Sequence, residues 1–194
     1  MTNQDVHQKV EDIFALYEKH GAENYSGEEV SQLEHMCQSA ELARIGGYDD
    51  EVVLAAFFHD IGYLIHSENK ETMGNYGRKN HEKEAGAFLR KMGFSERVAN
   101  LAEQHVNAKR YLTFSDPEYY NRLSEASKNT LKHQGGPMGE EEAAVFKADT
   151  LFDLNITMRR WDEEAKLKDQ PLPDLNIYKQ MAEKHFRDQH SSDE

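Results

Sequence analysis

His59 and Asp60 stand side by side at the end of an apolar run, Val52-Val53-Leu54-Ala55-Ala56-Phe57-Phe58, and Ile61-Gly62 follow them. Neighbouring side chains on a continuous helix point about 100° apart, so both can serve one cluster only where the helix ends and the backbone turns. Gly62 supplies such an ending. His35, His81 and His105 lie 24 residues before His59, 22 after it and 24 further on, and Asp162 is a later carboxylate. A single helical histidine is more often a core or surface residue than a ligand. Four at these separations, with a His-Asp pair among them, point instead to a metal site. Imidazole and carboxylate without thiolate suit iron, manganese, cobalt or zinc. Four histidines and two carboxylates exceed the needs of one tetrahedral zinc, and a carboxylate can bridge two ions. The donor set therefore reads as a two-metal centre with Asp60 between the ions.

Helices must position these groups. Val6, Val10, Ile13, Phe14 and Tyr17 predict a first helix that stops near Gly21. Val30, Leu33, Met36, Cys37 and Ala40 predict a second, with His35 in its middle and a stop at Gly46-Gly47. The third, capped by Asp49 or Asp50, has little polar face and should be central. Residues 61–79 read as an irregular, functional loop holding Gly62, Gly74 and Gly77, with His66 a surface residue. Asn80 is expected to cap a fourth helix with His81 in its first turn and Gly93 as its stop, and Ser95 a fifth from Glu96 to Val106 with His105 near its end. A helix start at Ser115-Asp116-Pro117 leads to His133, and Gln134-Gly135-Gly136-Pro137-Met138 breaks it. Glu140 to Asp162 reads as one long or two abutting helices. Pro171 and Pro173 interrupt, and Ile177, Met181 and Phe186 mark a last helix before a frayed tail from about residue 187. With no β-alternation or repeat, the expectation is an all-α fold, one domain over residues 1–194.

Bulk properties narrow the partners. A formal charge of −13 over 194 residues argues against a nucleic-acid backbone or anionic membrane as main partner, while leaving room for a local basic pocket. Cys37 is the only cysteine, so neither an intrachain disulfide nor a Cys-rich zinc site can form; a core-facing thiol in a reducing cytoplasm is expected. Met1-Thr2-Asn3-Gln4-Asp5 lacks the build of a signal peptide, and the run from Val52 to Phe58 falls far short of the roughly 20 residues that span a bilayer. A soluble, cytoplasmic protein is the expectation. The sequence leaves the oligomeric state open.

The order His35, His59-Asp60, His81, His105, Asp162 resembles the HD-domain superfamily in its dinuclear form, whose members are mostly metal-dependent phosphohydrolases. A narrower resemblance, over nearly the whole chain, is to the PhnZ-like HD-domain oxygenases that cleave the carbon-phosphorus bond of 1-hydroxyphosphonates, and distantly to myo-inositol oxygenase. It is carried by Tyr25-Ser26-Gly27-Glu28 before Gln32-Leu33-Glu34-His35 and by Met73-Gly74-Asn75-Tyr76-Gly77 before His81-Glu82-Lys83. Gly93-Phe94-Ser95-Glu96-Arg97-Val98-Ala99, His105-Val106-Asn107-Ala108-Lys109-Arg110-Tyr111-Leu112, Gln134 to Met138 and Arg160-Trp161-Asp162-Glu163 carry it further.

The resemblance implies an HD-domain helical bundle with a dinuclear site in its core, and two iron ions in a mixed-valent Fe(II)/Fe(III) state with O2 as co-substrate. His35, His59, Asp60 and Asp162 would hold one iron, and Asp60, His81 and His105 the other. Tyr25, Glu28 and Lys109 would serve catalysis: Tyr25 fills the substrate position at rest and swings away, and Glu28 meets the substrate's cationic nitrogen. Lys109, Arg159 and Ser127 would bind the phosphonate. The implied substrate is a small zwitterionic hydroxyphosphonate. This chain departs from the family where His59-Asp60-Ile61-Gly62-Tyr63 replaces a His-Asp-Leu-Gly-His pattern. Tyr63, Tyr25 and Tyr76 could cage a quaternary ammonium by cation-π attraction, about 0.5–2 kcal/mol per contact, or serve as core and capping residues. A primary amine and a trimethylammonio substrate both stay open. Two other readings share the ligands: an HD phosphohydrolase activating water with two metals, and a non-enzymatic, metal-bound regulatory module.

Overall fold

Helix α3, Asp50–Phe58, forms the axis of the protein. Its residues from Val52 to Phe58 are all within 1% of complete burial, as expected of a helix without a polar face. The computed structural model describes residues 2–25, 27–65, 72–73 and 78–191. Around α3 pack α2 (Gln32–Ile45), α5 (Glu96–Glu103) and α11 (Asn176–Ser191). Phe57 stacks between Tyr17, at 4.7 Å, and Tyr178, at 4.5 Å, so α3 is clamped by α1 (Asn3–His20) on one side and α11 on the other. Each fully buried aromatic of this kind contributes about 1.5–3 kcal/mol. The remaining helices are α4 (His81–Met92), α6 (His105–Ser115), α7 (Pro117–Arg122), α8 (Glu125–His133), α9 (Glu140–Lys147) and α10 (Phe152–Glu164). No strand occurs among the described residues, which hold two isolated β-bridges, and none of their helices is long and apolar enough to cross a membrane. The all-α expectation is met.

Local chemistry explains the ends that matter for the site. The Ser31 hydroxyl accepts from the Glu34 amide while the Glu34 carboxylate accepts from the Ser31 amide, a reciprocal cap one residue before His35. Asp49 rather than Asp50 caps α3, and Arg97 on α5 forks onto Asp49 and Glu51, fixing α5 against the start of α3. Several boundaries differ from expectation. Asn80 makes no side-chain cap; it takes a left-handed conformation, φ 64°, that asparagine tolerates and that turns the chain into α4. The fifth helix does not run to Val106: Gln104 interrupts it, so His105 opens α6 instead of closing α5. Leu123, extended at ψ 144°, divides α7 from α8. Asp149 accepts from the Leu151 amide in the break between α9 and α10. The tail is helical to Ser191, and Gln189 donates to the Gly93 carbonyl at 3.3 Å, tying it to the end of α4.

Candidate dinuclear metal centre

Five elements deliver the six candidate ligands to one place. His35 comes from α2, His59 and Asp60 from the end of α3, His81 and His105 from the first positions of α4 and α6, and Asp162 from α10. None is more than 3% exposed. The four imidazoles are oriented alike. Each Nδ1 meets a backbone carbonyl: Ala165 for His35 at 2.9 Å, Ala56 for His59 at 2.8 Å, Arg78 for His81 at 3.2 Å and Ala102 for His105 at 2.8 Å. Donation there assigns the proton to Nδ1 and turns Nε2 inward as a ligand atom, the usual support for a metal-binding histidine.

The inward nitrogens form two pairs, His35 with His59 and His81 with His105, each 3.1 Å apart. Asp60 divides its oxygens between them. Oδ2 lies 3.5 Å and 3.3 Å from the Nε2 atoms of His35 and His59, and Oδ1 lies 3.2 Å and 3.5 Å from those of His81 and His105. Asp162 Oδ1 completes the first pair, 3.4 Å from His35 Nε2. Two ligand groups result, His35/His59/Asp162 and Asp60/His81/His105, each with its donor atoms within 4.8 Å of one another.

These residues fit cations. Both Asp60 oxygens and Asp162 Oδ1 are buried without a hydrogen-bond partner among the described residues, an expensive arrangement for a carboxylate unless a positive charge sits beside it. Burial opposes the charge on both acids, yet His59, His35 and His81 hold the Asp60 carboxyl well below the usual range, and Arg159 and His35 do the same for Asp162. Burial drives His105 down to about 3, so it presents a free lone pair. For His35 burial acts in the same direction, but Asp162 and Asp60 outweigh it and raise the ring to about 9.

Gly62 shows how tightly this cluster is built. A Cβ there would lie 2.0 Å from the His81 carbonyl oxygen, backbone that cannot swing away. Gly62→Ala is expected to push His81 off its position, lowering stability by about 1–3 kcal/mol and emptying the His81 side of the centre first, as read by thermal unfolding and metal content.

A cavity of about 30 Å³, room for one or two waters, opens beside the ligands. Tyr25, Glu28, Tyr63, Lys109, Ser127 and Arg159 all line it, whereas Tyr76 lies outside the described residues. Tyr25 stacks on His35 and Tyr63 on His81, each at 4.1 Å, and the two phenol rings meet edge-on at 6.3 Å. Burial, then Asp60, pushes both phenols well above their usual pKa, so they are neutral here. Lys109 Nζ donates to Thr130 Oγ1 at 3.0 Å; burial, then Arg159, brings its ammonium down to about 7. Arg159 pairs with Asp162, donates to the Tyr119 hydroxyl at 3.1 Å and to Glu163 at 2.8 Å, and reaches Ser127 Oγ at 3.5 Å. The geometry therefore offers an anion a lysine, a guanidinium and a hydroxyl next to two metal-competent groups.

Three further polar lining residues were not assigned to the site from the sequence: Thr130, Gln134 and Lys166. Thr130 stands three residues after Ser127 on α8, so helical spacing from an assigned residue could have found it, whereas Lys166 lies just beyond the end of α10 and has no such signal. Gln134 opens a stretch already singled out, and its buried Oε1 lacks a hydrogen-bond partner among the described residues.

Residues 33–152 match the HD domain family. The chain is 38% identical over 181 residues to the [1-hydroxy-2-(trimethylamino)ethyl]phosphonate dioxygenase (glycine-betaine-forming) of Leisingera caerulea, an alignment covering 91% of this chain and 92% of that protein. It is 35% identical over 171 residues to the hydroxymethylphosphonate dioxygenase of Gimesia maris, covering 88% and 85%. Identity is 42% over 175 residues, 90% and 80%, with the uncharacterized protein L432 of Acanthamoeba polyphaga mimivirus.

Proposed function

The chain belongs to the HD-domain family, and we propose that it is a diiron oxygenase that uses O2 to cleave the carbon-phosphorus bond of 1-hydroxy-2-aminoethylphosphonate or its N-trimethyl analogue, giving phosphate and glycine or glycine betaine. The observation that carries this reading is the division of Asp60 between two histidine pairs, directly beside a cavity holding Lys109, Arg159 and Ser127. Two relatives over most of the chain bear names of dioxygenases acting on hydroxyphosphonates, which supports the same class of substrate.

One O2 balances the equation without added reductant: the C1–H and carbon-phosphorus bonds break, C1 becomes a carboxyl carbon, and phosphorus leaves as phosphate. His35, His59, Asp60 and Asp162 would hold one iron and Asp60, His81 and His105 the other; a mixed-valent Fe(II)/Fe(III) pair supplies the O2 activation that no side chain here can. The protein's own groups bind and orient. Lys109 and Arg159 neutralise the phosphonate, and Ser127 donates to it. Arg159 also touches Asp162, so the anion is located relative to one ligand group. Tyr25, stacked on His35, covers that group until substrate displaces it. Glu28 meets the substrate's nitrogen, with Tyr25 and Tyr63 as the aromatic wall around it. A substrate that fills so small a cavity leaves little space for water at the reacting carbon.

Iron-loaded protein is expected to release phosphate and carboxylate from these hydroxyphosphonates in air, with at least about a hundredfold loss of rate when oxygen is removed. Equal phosphate release without oxygen, or activity confined to nucleotides with Mn(II) or Co(II), would establish a hydrolase on the same ligands instead.

A further inference from the structure

A protein ammonium already stands at the carboxylate that the substrate's nitrogen is expected to meet. Lys166 Nζ donates to Glu28 Oε1 at 2.7 Å, and Ser124 Oγ donates to the same oxygen at 2.7 Å. The Lys166 ammonium also lies 5.8 Å from the centre of the Tyr25 ring, within reach of its face. Lys166 and Glu28 are only 16% and 14% exposed in their side chains, and both line the cavity with Lys109 and Arg159. An ammonium that reaches Glu28 Oε1 must therefore compete with Lys166 for that oxygen.

We infer that Lys166 is a specificity-determining residue: a tethered cation that fills the nitrogen subsite, yields it to an ammonium-bearing phosphonate, and keeps it neutral when the phosphonate carries no nitrogen. The inference rests on the functional reading given above. Its physical basis is charge balance between largely buried groups. Without Lys166, a nitrogen-free phosphonate would bury the Glu28 carboxylate unpaired beside a second anion, at a high cost in desolvation and repulsion. With Lys166 the carboxylate is matched. An ammonium substrate must break that pair, and Lys166 can release it cheaply because it lies just beyond the end of α10 on a flexible four-carbon stem. The same chain can therefore take both kinds of hydroxyphosphonate, with Lys166 setting the ratio.

The test is calorimetric binding of two unreactive analogues, 2-aminoethylphosphonate and ethylphosphonate, to metal-loaded wild type, Lys166→Met, Lys166→Arg, Glu28→Gln and the double variant Glu28→Gln/Lys166→Met. Removing the competitor should tighten 2-aminoethylphosphonate about tenfold and weaken ethylphosphonate several-fold, the scale of one charge-assisted hydrogen bond. Lys166→Arg should stay close to wild type, and in the Glu28→Gln background Lys166→Met should move neither analogue. Turnover of the corresponding 1-hydroxyphosphonates should shift its preference the same way. Should Lys166→Met fail to fold, Lys166→Gln, which keeps a donor without the charge, replaces it with the same expected direction. The inference is overturned if both analogues shift equally, if neither shifts, or if the shift survives in Glu28→Gln. A wild type that binds the analogues as described but releases no phosphate in air would reject the oxygenase reading and leave the role of Lys166 at the cation subsite standing.

Discussion

After loading with iron, Asp60→Ala is expected to retain almost none of the metal, whereas Asp162→Ala should retain about one ion per chain. Ligand count alone would not predict this, because His35, His59 and Asp162 survive in the Asp60 variant. Charge does. Asp162 is already paired with Arg159, so its carboxylate is partly spent, while both Asp60 oxygens are buried and hydrogen-bonded to nothing among the described residues. Asp60 is thus the main negative charge available to two cations, and each of its oxygens faces a different histidine pair. Without Asp162 the group formed by Asp60, His81 and His105 is untouched. Iron per chain after desalting reads this directly. Thermal unfolding gives an independent reading, since ligand at about a thousand times its Kd stabilises by about 4 kcal/mol. For a chain of this length that is on the order of 10 °C, which chelation should remove from the wild type and not from Asp60→Ala. Two tightly held ions in the Asp60 variant would refute the bridging role.

The six candidate ligands singled out by type and spacing converge in the fold, and for His59-Asp60 the mark is local: an apolar run that stops, with Gly62 just beyond. The evenness of the spacing has a structural counterpart, for the residues 24 apart, His35 with His59 and His81 with His105, are the two facing pairs. The break at Gln104 was not legible, since neither glycine nor proline stands there and the apolar pattern continues through Val106. Tertiary demand sets it: starting α6 at His105 lets Nδ1 reach the Ala102 carbonyl and aims Nε2 at His81. Nor does a propensity signal separate α9 from α10, where Asp149 folds onto the Leu151 amide. Tyr63 was marked as a departure from a pattern and as a candidate cage ring, but its stacking on His81 is a matter of packing. The pairing of Glu28 with Lys166 spans 138 residues and left no local trace at all. What the sequence could not supply was therefore the set of partners around each assigned side chain, because those arise from where helices meet.

Lys109→Met is expected to make the protein more stable and much less active. Lys109 is 3% exposed, with Thr130 Oγ1 as its hydrogen-bond partner, and burial, then Arg159, lowers its ammonium to about 7. In the unfolded chain the group titrates near 10.5. Between these values the unfolded state holds a proton that the folded state has lost, so stability rises with pH across that window. Below about pH 7 the full cost of burying the charged form is present, and above about 10.5 it is gone. Methionine keeps the stem and removes the charge. In the chelated protein it should therefore add on the order of 2 kcal/mol at pH 6, after loss of the Thr130 hydrogen bond, and progressively less towards pH 10. Phosphonate affinity should fall in the same variant by about 10- to 100-fold, the worth of a charge-assisted hydrogen bond in a buried site. The two effects have one origin: a lysine held uncomfortably beside Arg159 is relieved by an arriving anion, which raises its pKa and draws in a proton. At pH 8 inorganic phosphate should accordingly bind wild type with proton uptake, measurable by calorimetry in buffers of different ionisation enthalpy, and should raise its Tm. If Lys109→Met is destabilised at pH 6, or if phosphate binds it as tightly and with the same proton uptake, Lys109 is a packing residue and the anion site lies elsewhere in the pocket.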